Sequence, residues 1–347
     1  MQKSLDQKIA DIRANPSGSK AFILADAKDA DMAFGATAPG PKRGKAPCGY
    51  NASQGYWKTL AQYREQIRAV ISQGIVDIML LSASNVEQLA MREKLFADSH
   101  VTPAARANDT SDIWVVRGGK YPGEPSLPFR SATIDHIKYG RITEDPAEPV
   151  VGADLGLYSI TFTNNLERDH KALSDFRDFR IEAEKKHFRY FLEVFNPNVN
   201  PGISGEKVPA FLNDHIIRSL AGVTEVGRPL FLKIPYNGPG PLEELVSYDP
   251  SVIVGILGGS AGTTLDAFQL IHDARKYGAR VALFGRKINL SESPLAFIGL
   301  LREIVEGNID PKEAVKAYHG SLAKQGIVPQ RGLQDDLQLT PNSLSYK

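Results

Sequence analysis

Residues 229–236 read PLFLKIPY, a short apolar run with a single lysine near its end. Turn-forming residues bound it: Gly227-Arg228 before, and Asn237-Gly238-Pro239-Gly240 after. A run of this length between such breakers reads as a buried strand. Alternation along a strand puts Phe231, Lys233 and Pro235 on one face and Leu230, Leu232 and Ile234 on the other. An ammonium group in such a run is costly unless it is paired, neutralised or used. Desolvation favours the free amine, and a free amine attacks carbonyl carbons. One reading is therefore a Schiff-base lysine; the other is a strand-end lysine whose head reaches water.

Working outward, seven further segments have strand character: KAFILADA (20–27), residues 76–81, a weak region over 102–114, LYSITFT (157–163), YFLEVF (190–195), SVIVGIL (251–257) and ARVALF (279–284). Helical periodicity fills most of the gaps between them, over 56–73, 86–97, 166–187, 206–222, from residue 242, and over 264–277, 293–306 and 311–324. Alternating strands and helices argue for a parallel sheet, and eight such units fit a closed (β/α)8 TIM barrel. The competing open, doubly wound sheet lacks support: no glycine fingerprint follows the first strand. One barrel domain over 1–347 is expected, with an N-terminal helix within 1–19 and a long loop over 28–55. An irregular insertion with one short strand pair is expected over 115–150, and a polar, peripheral tail over 326–347.

With 347 residues and a net charge of +1, the chain offers no electrostatic case for nucleic acid or for an anionic membrane. Its single cysteine, Cys48, excludes an internal disulfide and a cysteine-built metal site. The polar N-terminus and the absence of a long apolar run predict a cytoplasmic protein with no membrane span. Seven scattered histidines show no ligand spacing, so neither a metal nor another cofactor is expected.

In a barrel of this kind the active site lies at the C-terminal strand ends. Asp26, Glu193 and Lys233 each fall near such an end, on a strand face otherwise apolar. Three ionisable groups there need one another or a task. GGSAGTT (258–264) follows the seventh strand, and Gly285-Arg286-Lys287 the eighth. Phosphate sites in barrels recur in these two loops, where glycines admit a ligand to the backbone and an arginine can clamp it. Arg106 and Arg130 are further candidate anion contacts, and Tyr236 is a proton donor or a packing residue.

These pieces together resemble the class I aldolases of the DhnA/LacD type, which include archaeal-type fructose-bisphosphate and tagatose-bisphosphate aldolases and related thiolases. The resemblance is carried by LADAKDADMAFG (24–35), GADLGLYSITF (152–162), YFLEVF (190–195), LFLKIPY (230–236), ILGGSAGT (256–263) and LFGRKI (283–288), in that order and at those strands. It implies a barrel, Schiff-base chemistry and a ketose or ketose-phosphate substrate. By position it makes Lys233 the Schiff-base lysine, Glu193 an acid/base residue and Asp26 an acid handling substrate hydroxyls. Gly258, Gly259, Ser260, Gly285 and Arg286 become the phosphate-binding loops, and Lys28 a contact for the distal phosphate. The GGSAGTT loop replaces a Gly-Gly-Pro-Lys-like one, and Lys287 stands in place of an asparagine. Barrels of this kind often associate, so a homo-oligomer is expected. A Schiff-base acyl transferase on the same scaffold, a sugar-phosphate-binding barrel without turnover and a metal-dependent lyase stand as the alternatives.

Overall fold

The computed structural model describes residues 1–42, 56–145, 147–259 and 262–340. Among these, eight parallel strands close a (β/α)8 barrel: β1 (Ile23–Lys28), β2 (Ile78–Leu81), β3 (Thr102–Arg106), β6 (Leu155–Thr161), β7 (Arg189–Phe195), β8 (Leu232–Ile234), β9 (Val254–Gly258) and β10 (Val281–Phe284). The ring closes because β1 pairs with β10 on one side and β2 on the other. Two further strands, β4 (Asp109–Thr110) and β5 (Pro128–Phe129), form an antiparallel pair within the β3–β6 connection.

Strand parity divides the apolar residues into two cores. Ile23, Ala25, Ile78, Leu80, Ala104, Leu155, Leu157, Phe191, Phe231, Val281 and Leu283 fill the barrel interior. Residues of the other parity, such as Leu24, Met79, Ile160, Leu192, Leu232, Ile256 and Phe284, pack outward into the layer shared with the helices. Both faces of every strand are thus buried, as parallel barrels require.

The helix Ser4–Ala14 buries Leu5, Ile9 and Ile12 against the interior cluster and so closes its N-terminal end. Its anchor is Asp77, just before β2. That carboxylate accepts from Ser4, Lys8, Arg302 and the backbone N–H of Leu24. Lys3 donates to three carbonyls, those of Phe96, Ser99 and Val101.

Several details differ from the sequence expectation. The expected helix over 86–97 begins earlier, at Ala83–Val86, and continues as a π-helical stretch over Glu87–Arg92. The weak region 102–114 splits into β3, β4 and a 3-10 turn at Ser111–Ile113. A helix at Ile134–Tyr139 stands inside the segment read as irregular. The tail is not peripheral as far as residue 340. Asp336 accepts from the Thr264 N–H, and Thr340 bonds Asp266 through its N–H and its hydroxyl, so the tail docks on the start of the helix Thr264–Lys276. Cys48 and the rest of residues 43–55 of the 28–55 loop lie outside the described residues, as do residues 341–347.

Candidate active site

The site is built by register. Glu193 on β7 is the direct cross-strand partner of Ser159 on β6 and of Lys233 on β8. All three share the inward parity, so their side chains stand next to one another at the C-terminal end of the interior. The Lys233 ammonium meets Glu193 Oε1. Ser159 Oγ donates to Glu193 Oε2 at 2.7 Å. Ser159 is fixed by a two-way backbone bond with Asn108, whose Oδ1 accepts from the Ser159 N–H at 2.6 Å and whose Nδ2 donates to the Ser159 carbonyl at 2.9 Å. Lys233 is 7 % exposed and Glu193 1 %, so both side chains are largely withdrawn from bulk water.

Arg106 enters from β3. Its Nε donates to Asp29 Oδ2 at 2.5 Å, and its Nη1 donates to Ser159 Oγ at 3.2 Å and to the Asn108 carbonyl at 3.3 Å. Its Nη2 stands 3.6 Å from Glu193 Oε2. Burial opposes the guanidinium charge, but Asp29, Glu193 and Asp109 outweigh it and hold the pKa above even the usual arginine value. For Asp109, 4.0 Å from Arg106 Nε, burial wins instead and lifts its carboxyl to about 6.

A cavity of about 380 Å³ lies over this network, lined by Lys233, Glu193, Arg106, Asp29, Asp112 and Arg286 among the charged residues. Asp112 is fixed by Thr161 and Ser126, at 3.0 and 2.8 Å. Two loops meet across the mouth: the Val115 N–H donates to the Ala33 carbonyl at 2.9 Å. Asn198 fastens the insertion by donating to the carbonyls of Pro122 and Glu124 and accepting from the Ser126 N–H. Trp114 stacks on Tyr121 with ring centres 4.2 Å apart.

The residues singled out in the sequence divide. Lys233, Glu193, Gly258, Gly285 and Arg286 line the cavity. Gly259 follows Gly258 at the end of β9 and is partly exposed, and Ser260 lies outside the described residues. The two lining glycines have a packing reason. A Cβ on Gly258 would lie 2.1 Å from the Phe284 ring, and one on Gly285 would lie 2.9 Å from the Ala27 carbonyl oxygen.

Asp26 and Lys28 require correction. They share a face with Phe22 and Leu24, as alternation requires, but that face points outward, toward the helix layer. The inward residues at this end of β1 are Ala27 and then Asp29, both of which line the cavity. Asp26 and Lys28 are fully buried behind the strand, 3.4 Å apart, and make no hydrogen bond through their charged atoms among the described residues. Burial pushes the Asp26 carboxyl up to about 6, although Lys28 pulls it the other way. Tyr236 also packs with the outer core.

Sequence reasoning missed Asp29, Asp112 and Ser159 as parts of the site and ranked Arg106 too low. Arg106 ends TPAAR, a charge at the end of a buried strand, which is the signal already used for Lys233. Ser159 stands in inward phase with Leu155 and Leu157. Asp29 and Asp112 had no such signal, since both lie just past strand ends in loop sequence. Lys287, beyond the cavity, donates to the Gly262 carbonyl at 2.8 Å, and burial, with Arg331 nearby, lowers its pKa to about 8.

No protein-family model and no curated protein sequence matches the chain. Solved structures do. A fructose-bisphosphate aldolase from Slackia heliotrinireducens superposes with a TM-score of 0.61 at 15 % identity, covering 91 % of each chain. An archaeal fructose-1,6-bisphosphate aldolase, captured with its catalytic lysine bound to a carbinolamine intermediate, superposes with a TM-score of 0.59 at 16 % identity, covering 86 % of this chain and 100 % of the other. At such identities the likeness is one of fold: the chain has the barrel of these aldolases.

Proposed function

We propose that this protein is a class I aldolase of the DhnA/LacD type, with Lys233 as the Schiff-base nucleophile. The observation that carries the reading is the Lys233–Glu193 contact on adjacent, in-register strands beneath a cavity that both residues line. A nucleophilic amine with an acid/base group in direct reach is the arrangement that imine chemistry needs. The aldolase fold of the matched structures, one of which carries a lysine adduct, agrees with it.

In this reading the Lys233 amine adds to a ketone carbon, forming a C–N bond, and loss of water leaves an iminium ion. The proton leaves the hydroxyl on the carbon β to the iminium for Glu193. The O–H electrons become an aldehyde C=O, the adjacent C–C bond breaks, and its electron pair passes to the iminium nitrogen as an enamine. Protonation of the enamine and hydrolysis of the imine release the second product and restore Lys233. Ser159 and Arg106 hold Glu193 from its other oxygen, so the carboxylate keeps one edge toward Lys233. Asp29 in turn holds Arg106 by accepting from its Nε.

The test is borohydride reduction in the presence of dihydroxyacetone phosphate, followed by peptide mass spectrometry. A substrate-dependent adduct on Lys233 is expected, with none in Lys233→Ala. Wild-type lyase turnover in Lys233→Ala would remove the mechanism.

A further inference from the structure

The order of strands around the ring gives the cavity a direction. Lys233 on β8 has Glu193 on β7 to one side and, to the other, the β9–β10 wall with Gly258, Leu283, Gly285 and Arg286. In the aldolase reading Glu193 takes the proton from the hydroxyl of the departing aldehyde. The aldehyde half of the substrate therefore lies on the β6 side of Lys233, and the half that stays on the lysine lies toward β9 and β10.

One pleat further along β6 stands Thr161, which pairs with Phe195 as Ser159 pairs with Glu193. Two residues of strand rise about 6.6 Å, so this level lies nearer the mouth, beside the carbons that follow the reacting one. Here Asp112 enters the cavity from the β3–β6 connection. Its two oxygens accept from buried hydroxyls: Oδ2 from Thr161 Oγ1 at 3.0 Å and Oδ1 from Ser126 Oγ at 2.8 Å. The chain around it is pinned as well. The β4–β5 pair comes immediately before it. The Ser111 N–H donates to the Leu127 carbonyl at 2.9 Å, and Ser111 Oγ accepts from the Leu127 N–H at 3.0 Å. A carboxylate accepts about four hydrogen bonds, so two fixed donors orient Asp112 without exhausting it. An acceptor held in place on a cavity wall selects for a donor, and hydroxyls are the donors a ketose presents there.

We infer that Asp112 is a specificity residue: its carboxylate accepts a hydrogen bond from a hydroxyl on the carbon chain of the departing aldehyde, beyond the bond that is cleaved. The substrate class is then a ketose with at least one free hydroxyl on the far side of that bond. Ser126 and Thr161 keep both Asp112 oxygens bonded, so an aldehyde lacking the hydroxyl leaves no acceptor stranded. It forgoes one hydrogen bond to a charged group, which is worth about 10- to 100-fold. This specifies the substrate of the aldolase reading and rests on it.

The experiment uses the full chain, dihydroxyacetone phosphate as donor, and glyceraldehyde and propanal as acceptors of equal carbon number, with kcat/KM measured for each. The Lys233 adduct trapped by borohydride with dihydroxyacetone phosphate measures the folded, reactive fraction of every variant, and rates are taken relative to it. Wild type is expected to prefer glyceraldehyde by at least about tenfold. Asp112→Ala should lower that preference by about tenfold or more, and Asp112→Asn, which keeps an acceptor oxygen but not the charge, should fall between the two. Comparing the preference between proteins cancels the unequal intrinsic reactivity of the two aldehydes, and a residue that merely braced the fold would leave it unmoved. A wild type that uses propanal as well as glyceraldehyde overturns the inference without any variant. So does a preference that Asp112→Ala leaves unchanged, or an adduct that condenses with neither aldehyde. In each of these cases the Lys233 adduct still stands and with it the Schiff-base reading, whereas absence of the adduct overturns both.

Discussion

Glu193 and Asp26 are both carboxylates near the C-terminal ends of barrel strands, both buried, and both flanked by apolar residues of the same parity. Glu193 faces the cavity, where Lys233, Ser159 and Arg106 meet its two oxygens. Asp26 faces the opposite way, where Lys28 is 3.4 Å off and no hydrogen bond forms among the described residues. The pattern around the two acids is alike; their surroundings are not. Burial alone therefore does not mark a working carboxylate, because a parallel barrel buries both faces of its strands. What separates the two is whether the inward neighbours on adjacent strands are polar.

The largest effect expected from this contrast is on turnover. Glu193→Gln should lower the aldolase rate by about 10²–10⁴-fold, the usual worth of a positioned acid/base group, with the fold retained. Asp26→Asn should leave the rate per folded molecule unchanged. Steady-state kinetics on the two purified variants, corrected for folded fraction, compares them directly, and a rate collapse in Asp26→Asn would return that residue to the site.

Stability should respond the other way round. Asp26→Asn strips Lys28 of its buried partner and should cost about 3–5 kcal/mol of unfolding free energy. Asp26→Leu combined with Lys28→Met should recover most of that loss, since a buried ion pair is often replaceable by well-packed apolar groups. Urea titrations of wild type, single and double variant measure both numbers.

The pH dependence sharpens the same comparison with a third acid. Asp26 has a raised folded pKa of about 6, so its contribution to stability is fully present below about pH 4 and is lost as pH rises through 6. At Asp77 burial would also raise the value, but Lys8 and Arg302 hold it below the usual carboxylate range. Its contribution is accordingly present above about pH 4 and lost as pH falls through the depressed value. Unfolding free energies between pH 3 and 7 should fall with acid less steeply in Asp77→Asn than in wild type. In the Asp26→Leu/Lys28→Met variant the downward drift between about pH 4 and 6 should vanish, a change on the order of 2–3 kcal/mol.

A smaller loss is expected at Arg106. Lysine in its place keeps the charge but not the fork that reaches Asp29, Ser159 and Glu193 together. Arg106→Lys should cost roughly 1.5–3 kcal/mol in transition-state stabilisation, the worth of a hydrogen bond to a charged group, read as kcat/KM. The least should come from the connection between β3 and β6. Trp114→Ala removes the stack on Tyr121 and should cost about 0.5–1.5 kcal/mol of stability, with KM rising more than kcat falls.

Much of this molecule was readable before folding. The apolar runs and their spacing determined a (β/α)8 barrel, because a strand buried on both faces must be apolar throughout and a crossover helix must follow it. Charges in such runs singled out Lys233 and Glu193, and by the same signal Asp26, because a charge there needs a partner or a task. Tertiary structure decided which face of each strand points inward, and so exchanged Asp26 for Asp29 and took Lys28 out of the site. It also decided that Arg106 and Asp112 reach the cavity, that Ser159 holds Glu193 beneath it, and that Ala33, Phe34, Ile113 and Val115 line it. Period-two alternation is symmetric between the faces of a strand, and only the closing of the ring, with its shear and its loops, breaks that symmetry.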